Sequence, residues 1–355
     1  MQNQEEEKTY KFNPKPAFVD RMNSLLKDEK DRQAYWQIVH KEPNNSIRCN
    51  TLKISPEKLK KRLEERVWKI KQPYKEYPEI MIIESDLGPG ELGKAEEHLL
   101  GYFYVQEISS MLSILALRPT EEDIFLDLCA SPGSKTTQAA SMMNNKGSII
   151  ANDSKLNRLI ILASNLEKCG VSNTVITQND GIDLCIRYKR EQIFFDKILV
   201  DAPCSGEGTL RSSPETFAMW NEKMTGKFAR IQKHLAANAM GCLKVGGELL
   251  YSTCTHAPEE NEEIIQHLLN NFDISIEQIN LPLKTREGIT EWQGKKYSEE
   301  IKKCVRIYPQ DNDTEGFFLC KIKKLSEDNK INKNEEEGEQ FSGQGKLNHK
   351  KPQVS

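Results

Sequence analysis

Two cysteines and a row of aspartates stand where this chain could do chemistry. Cys204 lies in Asp201-Ala-Pro-Cys-Ser-Gly206 and Cys254 in Ser252-Thr-Cys-Thr255, each just past a short apolar run that reads as a strand. A free cysteine is usually a small buried hydrophobe, and Cys169, Cys185, Cys242 and Cys320 are read that way. Cys204 and Cys254 differ because both follow strands at one edge of the expected sheet, where a ligand binds. A helix opened near Pro258 is expected to favour a thiolate at Cys254 through its dipole. Two thiols facing one ligand suggest covalent catalysis on an unreactive carbon.

The same edge carries Asp127, Asp153, Asp180 and Asp201. A lone Asp after a strand is more often a helix N-cap than a ligand contact, so their weight comes from arriving together. Phe125-Leu-Asp-Leu-Cys-Ala-Ser-Pro-Gly-Ser-Lys-Thr-Thr137 reads as strand, tight turn and helix N-terminus. That device aims backbone N–H groups and a positive dipole end at a ligand. It lacks the G-x-G-x-x-G spacing of a dinucleotide site. Asp153 follows the glycine turn at the distance where an acid accepts two ribose hydroxyls, and Asp180 is placed to reach an adenine edge. One adenosine carrying an amino-acid tail fits this set, which makes S-adenosylmethionine the expected cofactor.

The elements that position these residues follow from periodicity. From Ile124 onward strands alternate with helices, the signature of a parallel α/β sheet. Strands are expected at Ile124–Leu128, Gly147–Ala151, Thr174–Thr177, Lys197–Val200 and Glu248–Tyr251, with a hairpin at Val305–Ile307 and Phe317–Ile322. Helices are expected at Ser154–Cys169 and Lys227–Leu243, the latter with Ile231, Leu235, Ala239 and Cys242 on one face and ended by Gly246-Gly247. Upstream, helical spacing covers Phe18 to Val39. Strand-like runs at Ser46–Lys53 and Glu79–Ile83, a basic helix from Pro56 to Arg66 and a helix over Glu107–Leu117 complete a small α+β module.

At 355 residues, with 29% charged and 37% apolar residues, the chain can bury a core in two domains. No run approaches the ~20 apolar residues of a membrane span and no signal pattern opens the chain, so a cytoplasmic protein is expected. Nine cysteines without C-x-x-C or Cys/His ligand spacing point to reduced thiols and no metal. The net charge of −3 hides an asymmetry: Lys41 to Lys75 holds eight Lys and three Arg against four Glu. A basic stretch beside a catalytic cleft suits a polyanion, and taken alone it is a solvated helix face.

With these residues assembled, the chain resembles the RNA cytosine-5 methyltransferases of the Sun/NSUN family from about Ile47 to Lys323. The resemblance rests on Cys129-Ala-Ser-Pro-Gly-Ser-Lys135, Asp201-Ala-Pro-Cys-Ser-Gly206, and Ser252-Thr-Cys-Thr255 followed by Pro258-Glu-Glu-Asn261. Arg48-Cys-Asn-Thr51, Tyr104-Val-Gln-Glu-Ile-Ser-Ser110 and Gly316-Phe-Phe318 add to it. It implies an α/β fold: a Rossmann-like class I methyltransferase domain with a mostly parallel sheet, preceded by a small N-terminal α+β domain similar to an RNA-recognition fold. The boundaries drawn are a flexible arm at 1–15, the RNA-binding domain at 16–118, the catalytic domain at 119–325 and a disordered tail at 326–355.

The resemblance also implies roles. The turn of Cys129, Ala130, Ser131, Pro132, Gly133, Ser134 and Lys135 holds the methionine part of the cofactor. Asp153 takes the ribose and Asp180 the adenine, with Arg158 and Asp201 nearby. Cys254 adds to carbon 6 of the target cytosine, Asp201 hydrogen-bonds the base, Lys135 assists and Cys204 promotes elimination of the adduct. In DNA cytosine-5 methyltransferases a Pro-Cys motif supplies the nucleophile, which would make Cys204 the attacker; the Thr-Cys-Thr motif favours Cys254. Family members often have Pro-His where this chain has Pro309-Gln310, which touches only that position's local role. The expected partner is tRNA, with ribosomal RNA as the alternative, and the enzyme is expected to be a monomer. A non-catalytic RNA-binding scaffold and a methyltransferase for a small molecule or protein are the rival readings.

Overall fold

Runs of Val, Ile and Leu that are apolar on both faces require cover on both sides, and the protein supplies it. The structure is a computed structural model that describes residues 13–329. The expected arm at 1–15 and tail at 326–355 lie largely outside the described residues. In chain order the helices are α1 (Pro16–Leu25), α2 (Glu29–Ile38), α3 (Pro56–Glu65), α4 (Glu91–Lys94), α5 (Glu96–Leu99), α6 (Ile108–Leu117), α7 (Ser134–Met142), α8 (Leu156–Cys169), α9 (Gly181–Arg190), α10 (Thr216–Met219), α11 (Glu222–Cys242), α12 (Glu262–Asn271) and α13 (Pro309–Asn312). The strands are β1 (Asn45–Cys49), β2 (Ile70–Lys71), β3 (Ile80–Ile83), β4 (Phe103–Val105), β5 (Ile124–Asp127), β6 (Ser148–Asp153), β7 (Thr174–Gln178), β8 (Phe195–Asp201), β9 (Leu243–Thr253), β10 (Phe272–Glu277), β11 (Arg286–Glu287), β12 (Glu291–Trp292), β13 (Lys295–Lys296), β14 (Val305–Ile307) and β15 (Phe317–Asn329).

β1 to β4 form an antiparallel sheet in the order β2-β3-β1-β4, with α3 and the α4–α5 pair as its two crossovers. That β-α-β-β-α-β order is ferredoxin-like. The larger sheet has nine strands, running β11-β14-β15-β9-β8-β5-β6-β7 with β10 on β15. β9, β8, β5, β6 and β7 are parallel, and β14 and β15 add antiparallel to β9. From β5 the chain winds one way to β6 and β7, then returns to β8 and β9 on the other side. The order reverses between β5 and β8, and that crevice is where ligands bind in such sheets. Phe125, Leu126, Ile198, Leu199, Leu249, Leu250 and Tyr251 are all buried, as is nearly every residue of α6.

Several expectations are corrected. The helical spacing over Phe18–Val39 is two helices, because Asp28 caps Asp31 N–H and starts α2 afresh. The helix expected at Lys227–Leu243 begins at Glu222, where Asn221 caps Met224 N–H at 3.2 Å, and ends at Cys242. Gly246-Gly247 lies inside β9, and Ile231 faces outward, 39% exposed. Pro258 sits in a turn, and α12 starts four residues later at Glu262. α9 and β10 were not anticipated, and β15 runs on past residue 325.

Candidate active site

The crevice is floored by the ends of β5 and β8. Asp127 closes β5, wholly buried, and accepts the Thr136 hydroxyl at 2.7 Å. Burial pushes its carboxyl up to about 7. Asp201 closes β8, and each of its oxygens has a partner: Lys135 Nζ donates to one at 2.7 Å and Ser252 Oγ to the other at 2.7 Å. Lys135 comes from the first turn of α7, also donates to Ser110 Oγ at 2.9 Å, and lies 5.5 Å over the Phe317 ring. A lysine this deeply buried needs such pairing, and it fixes Asp201 at the switch point.

Beside them the two cysteines meet, Sγ to Sγ at 3.2 Å. The thiol contact to Cys254, and then burial, hold the Cys204 thiol well above its ordinary value. Either thiol can donate to the other across this contact. The loops carrying them are laced together. Ser205 and Thr255 hydroxyls are 2.8 Å apart, Gly208 N–H donates to Cys254 O at 2.9 Å, and Ser205 N–H donates to Glu260 Oε2 at 3.0 Å. Gln232 donates to both Pro203 O and Glu260. Thr253 donates to Asn261, whose amide returns to Thr255 O. Backbone packs so closely here that a Cβ on Gly208 would stand 2.5 Å from Gly316 O and 2.9 Å from Cys254 O. Because α12 begins only at Glu262, the helix-dipole argument for Cys254 does not hold.

At the other end of the crevice, Asp153 is buried, and its Oδ1 accepts Lys155 N–H at 3.1 Å. Its Oδ2 has no hydrogen bond and keeps Arg158 as an ion pair at 3.3 Å. Arg158 also donates to Ser131 O at 2.5 Å, so it braces the turn. Asp180 is exposed and caps α9, accepting Ile182 and Asp183 N–H groups at 2.9 and 3.4 Å. In the turn, Gly133 has φ 106°, a conformation that favours glycine, and a Cβ there would also press on Leu162 Cδ1 at 2.9 Å. Ala130, Ser131, Pro132 and Ser134 complete the turn, and burial raises the Cys129 thiol. The buried Ser131 Oγ is without a partner. A carboxylate oxygen without a hydrogen bond, a hydroxyl without one and a glycine turn at a helix N-terminus fit an adenosine with an amino-acid tail.

The roles of Asn152 and Arg48 are visible only in the structure. Asn152 stitches three strand ends, donating to Leu128 O and Asn179 O while accepting from Thr177 and Asn179 N–H; the repeated Asn-Asp at 152–153 and 179–180 was its signal. Arg48 is buried, and from β1 it reaches the cofactor turn, donating to Ser134 O at 2.7 Å, Thr137 Oγ1 at 2.8 Å and Gln106. The basic stretch is more neutral than its composition suggests. Lys60 pairs with Glu64, Arg62 and Arg66 with Glu97, and Lys69 and Lys71 with Glu84. Gln310 donates to Asp31 at 2.9 Å, away from the cysteines. Among the described residues no helix is long and apolar enough to cross a membrane, and no His/Cys/Asp/Glu cluster could hold a metal.

Residues 114–323 match the sequence profile of the family described as 16S rRNA methyltransferase RsmB/F, and residues 15–108 match the N-terminal domain of 16S rRNA methyltransferase RsmF. A tRNA (cytosine(49)-C(5))-methyltransferase of Pyrococcus abyssi is 42% identical over 83% of this chain and 92% of its own. A ribosomal RNA small subunit methyltransferase F of Vibrio campbellii is 37% identical over 87% of this chain, which spans only 63% of that relative. The crystal structure of a methyltransferase homolog from Pyrococcus horikoshii, 33% identical, superposes with a TM-score of 0.74 over 88% of this chain and 100% of its own. NSun6 of the same organism, 24% identical, shares the fold at a TM-score of 0.72 over 88% of this chain and 99% of its own. The fold is α/β, a class I methyltransferase domain with an added N-terminal subdomain, and the expected cofactor stands. The chain belongs to the RsmB/F family of S-adenosylmethionine-dependent RNA cytosine-5 methyltransferases.

Proposed function

We propose that this chain methylates carbon 5 of a cytosine in RNA through a covalent adduct on Cys254. The observation that carries this reading is the pair of thiols, 3.2 Å apart, beside the Lys135–Asp201 pair at the switch point. Residues 16–118 are assigned to RNA binding and 119–325 to catalysis, in a monomeric cytoplasmic enzyme.

A target base must leave its stack to enter the crevice. The Cys254 sulfur gives up its proton to solvent and bonds to carbon 6, and the electron pair of the 5,6 double bond moves toward carbon 5. Asp201, held in place by Lys135 and Ser252, hydrogen-bonds the ring and stabilises its protonated form. S-adenosylmethionine, when bound, supplies an electrophilic methyl group. The turn from Cys129 to Lys135 would hold its methionine part, Asp153 its ribose and Asp180 its adenine, with Arg158 bracing the turn. After transfer, carbon 5 loses its proton, the double bond re-forms and the carbon–sulfur bond breaks, returning Cys254 as thiolate. Cys204 fits as acceptor of that proton. While Cys254 is free, their contact keeps Cys204 protonated. Once Cys254 is bonded to carbon 6, the larger cause of that shift is gone while burial remains, so Cys204 can release its own proton to solvent and then act as base.

Ribosomal RNA is the first substrate reading, since both matched family profiles are described for 16S rRNA enzymes. A second reading, tRNA, rests on the Pyrococcus abyssi relative and its 92% coverage. This reverses the order expected from sequence alone. The test is methyl transfer from labelled S-adenosylmethionine to unmodified small-subunit rRNA and, separately, tRNA, with the labelled nucleoside identified by mass. Label in 5-methylcytidine is expected from one pool. Label in any other nucleoside would sink the roles given to both cysteines.

A further inference from the structure

The loops that carry the two cysteines are joined a second time, from outside the catalytic sheet. Arg21 projects from α1 and is buried. Its Nε donates to Glu207 Oε1 at 3.0 Å, its Nη1 to Glu259 Oε1 at 3.2 Å and its Nη2 to Glu259 Oε2 at 2.5 Å. Glu207 lies three residues past Cys204, and Glu259 five past Cys254. Each carboxylate is also pinned by a tryptophan: Trp220 Nε1 donates to Glu207 at 2.8 Å, and Trp292 Nε1 to Glu259 at 2.9 Å. The guanidinium lies 5.5 Å over the Trp292 ring. α1 itself is anchored by Phe18, whose ring meets Trp220 at 5.1 Å and Phe217 at 5.8 Å.

We propose that Arg21 is a positioning residue for methyl transfer: its guanidinium ties the Cys204 loop to the Cys254 loop and so sets the spacing of the two thiols. The inference rests on the functional reading of those cysteines. It makes α1, which adds no strand to either sheet, part of the active-site framework. A planar fork presents donors in fixed directions and can hold two carboxylates at once, which an ammonium cannot do with the same geometry. Without that charge, Glu207, with a side chain entirely shielded from solvent, would face Glu259 across the seam with nothing between them. It must then either repel Glu259 or take up a proton, and in both cases nothing ties together the loops that must hold the sulfurs. Displacing a reacting group by about 1 Å can cost on the order of 10²-fold in rate.

The experiment compares full-length wild type with Arg21→Ala, Arg21→Lys and Glu259→Gln. Steady-state kinetics on the unmodified form of the RNA that accepts methyl groups give kcat and the KM for S-adenosylmethionine. Separately, diamide, a dithiol oxidant that takes up two hydrogens as the Cys204–Cys254 disulfide forms, serves as a ruler of sulfur spacing, with the linked peptides counted by mass. Expected are a fall in kcat of about 10²-fold for Arg21→Ala, a KM for S-adenosylmethionine within about twofold of wild type, and disulfide formation slowed about tenfold. Arg21→Lys keeps a charge but not the fork, so it should fold yet recover neither kcat nor the disulfide rate; Glu259→Gln should fall between. If Arg21→Ala does not fold, those two variants decide. Wild-type disulfide rates in the folded variants would overturn the proposal, whether or not kcat fell. If Cys254→Ala still transferred methyl groups, the covalent reading would fail, while the ruler would still report on the clamp.

Discussion

The strand-end row has two unlike halves. At the β8–β9 end, the protein itself ties the polar side chains together: both oxygens of Asp201 are paired, and Ser205, Thr255, Gln232 and Glu260 lace the two cysteine loops, with only Oε1 of Gln232 and Oε1 of Glu260 among these left without a hydrogen bond. At the β6–β7 end, Asp153 keeps an oxygen without a hydrogen bond, Ser131 Oγ has no partner, and Asp180 lies exposed on the cap of α9. β7 is the last strand of the sheet, and its Val175 is 62% exposed. The first half is organised before any ligand arrives, as stabilising developing charge on a base requires. The second half leaves donors and acceptors open for a cofactor to complete.

Breaking the organised half should have the larger effect. Cys254→Ala is expected to lower kcat on RNA by on the order of 10⁴-fold or more, the scale on which a covalent nucleophile is lost. Binding of S-adenosylmethionine, read by calorimetry, should hardly change. Cys204→Ala should sharpen the contrast, because adduct formation survives and elimination stalls. A protein–RNA band resistant to denaturing gel electrophoresis should accumulate, and its absence would return Cys204 to a merely structural role. In the open half, Asp153→Ala should weaken S-adenosylmethionine binding roughly 10- to 100-fold, the worth of hydrogen bonds to a charged group. The Cys204–Cys254 disulfide rate should stay as in wild type.

The two halves were also unequally legible in the sequence. The parallel strands could be read because apolar runs such as Phe125–Leu126 and Ile198–Val200 carry their burial in their composition. The cysteines and aspartates could be placed because turns fall at the ends of those runs. The lacing could not be read. Glu260 and Gln232 meet across 28 positions of sequence, and Arg21 and Glu207 across 186, and no local periodicity encodes such a pairing. The same limit hid the role of Arg48, a residue of a recognised motif whose partners lie on α7 and at Gln106. Short elements failed for another reason: Pro258 looks like a helix start, but Asn261 is committed to Thr253 and Thr255, and the helix waits until Glu262.

The β8–β9 end should also betray itself in pH dependence. Glu315 stands just before β15 and accepts Ser212 N–H at 2.7 Å on the loop that follows Cys204. Burial pushes its carboxyl and that of Glu260 up to about 7, as it does Asp127 between the halves. These groups stay protonated in the folded chain, while the unfolded chain releases the same protons near pH 4. The folded state therefore binds more protons over that window. Each group's contribution is fully present below about pH 4, is lost as pH rises toward 7, and is constant beyond. Burial holds His256 down at about 3, so its contribution falls in the opposite direction, as pH drops below 6.5. Only a difference between variant and wild type isolates one group. Glu315→Gln should gain on wild type by about 1.4 kcal/mol per pH unit between 4 and 7, read from urea unfolding at pH 5 and 7. A pH-independent difference would mean that Glu315 is ionised in the folded protein.

The smallest effect is expected at Asp180, where two roles compete for one side chain. As the cap of α9, Asp180 accepts two backbone N–H groups, and Asp180→Ala should cost about 1 kcal/mol of stability. A cap uses one oxygen, and here both N–H groups converge on Oδ1, leaving Oδ2 free to face an adenine amino group. Asp180→Asn separates the roles. Its side-chain oxygen still caps the helix, so stability should return nearly to wild type. The second position, however, becomes a donor facing a donor, and S-adenosylmethionine affinity should stay reduced by about fivefold, close to one neutral hydrogen bond. If Asp180→Asn recovered stability and affinity together, Asp180 would be a cap only, and the open half of the site would rest on Asp153 and the glycine turn.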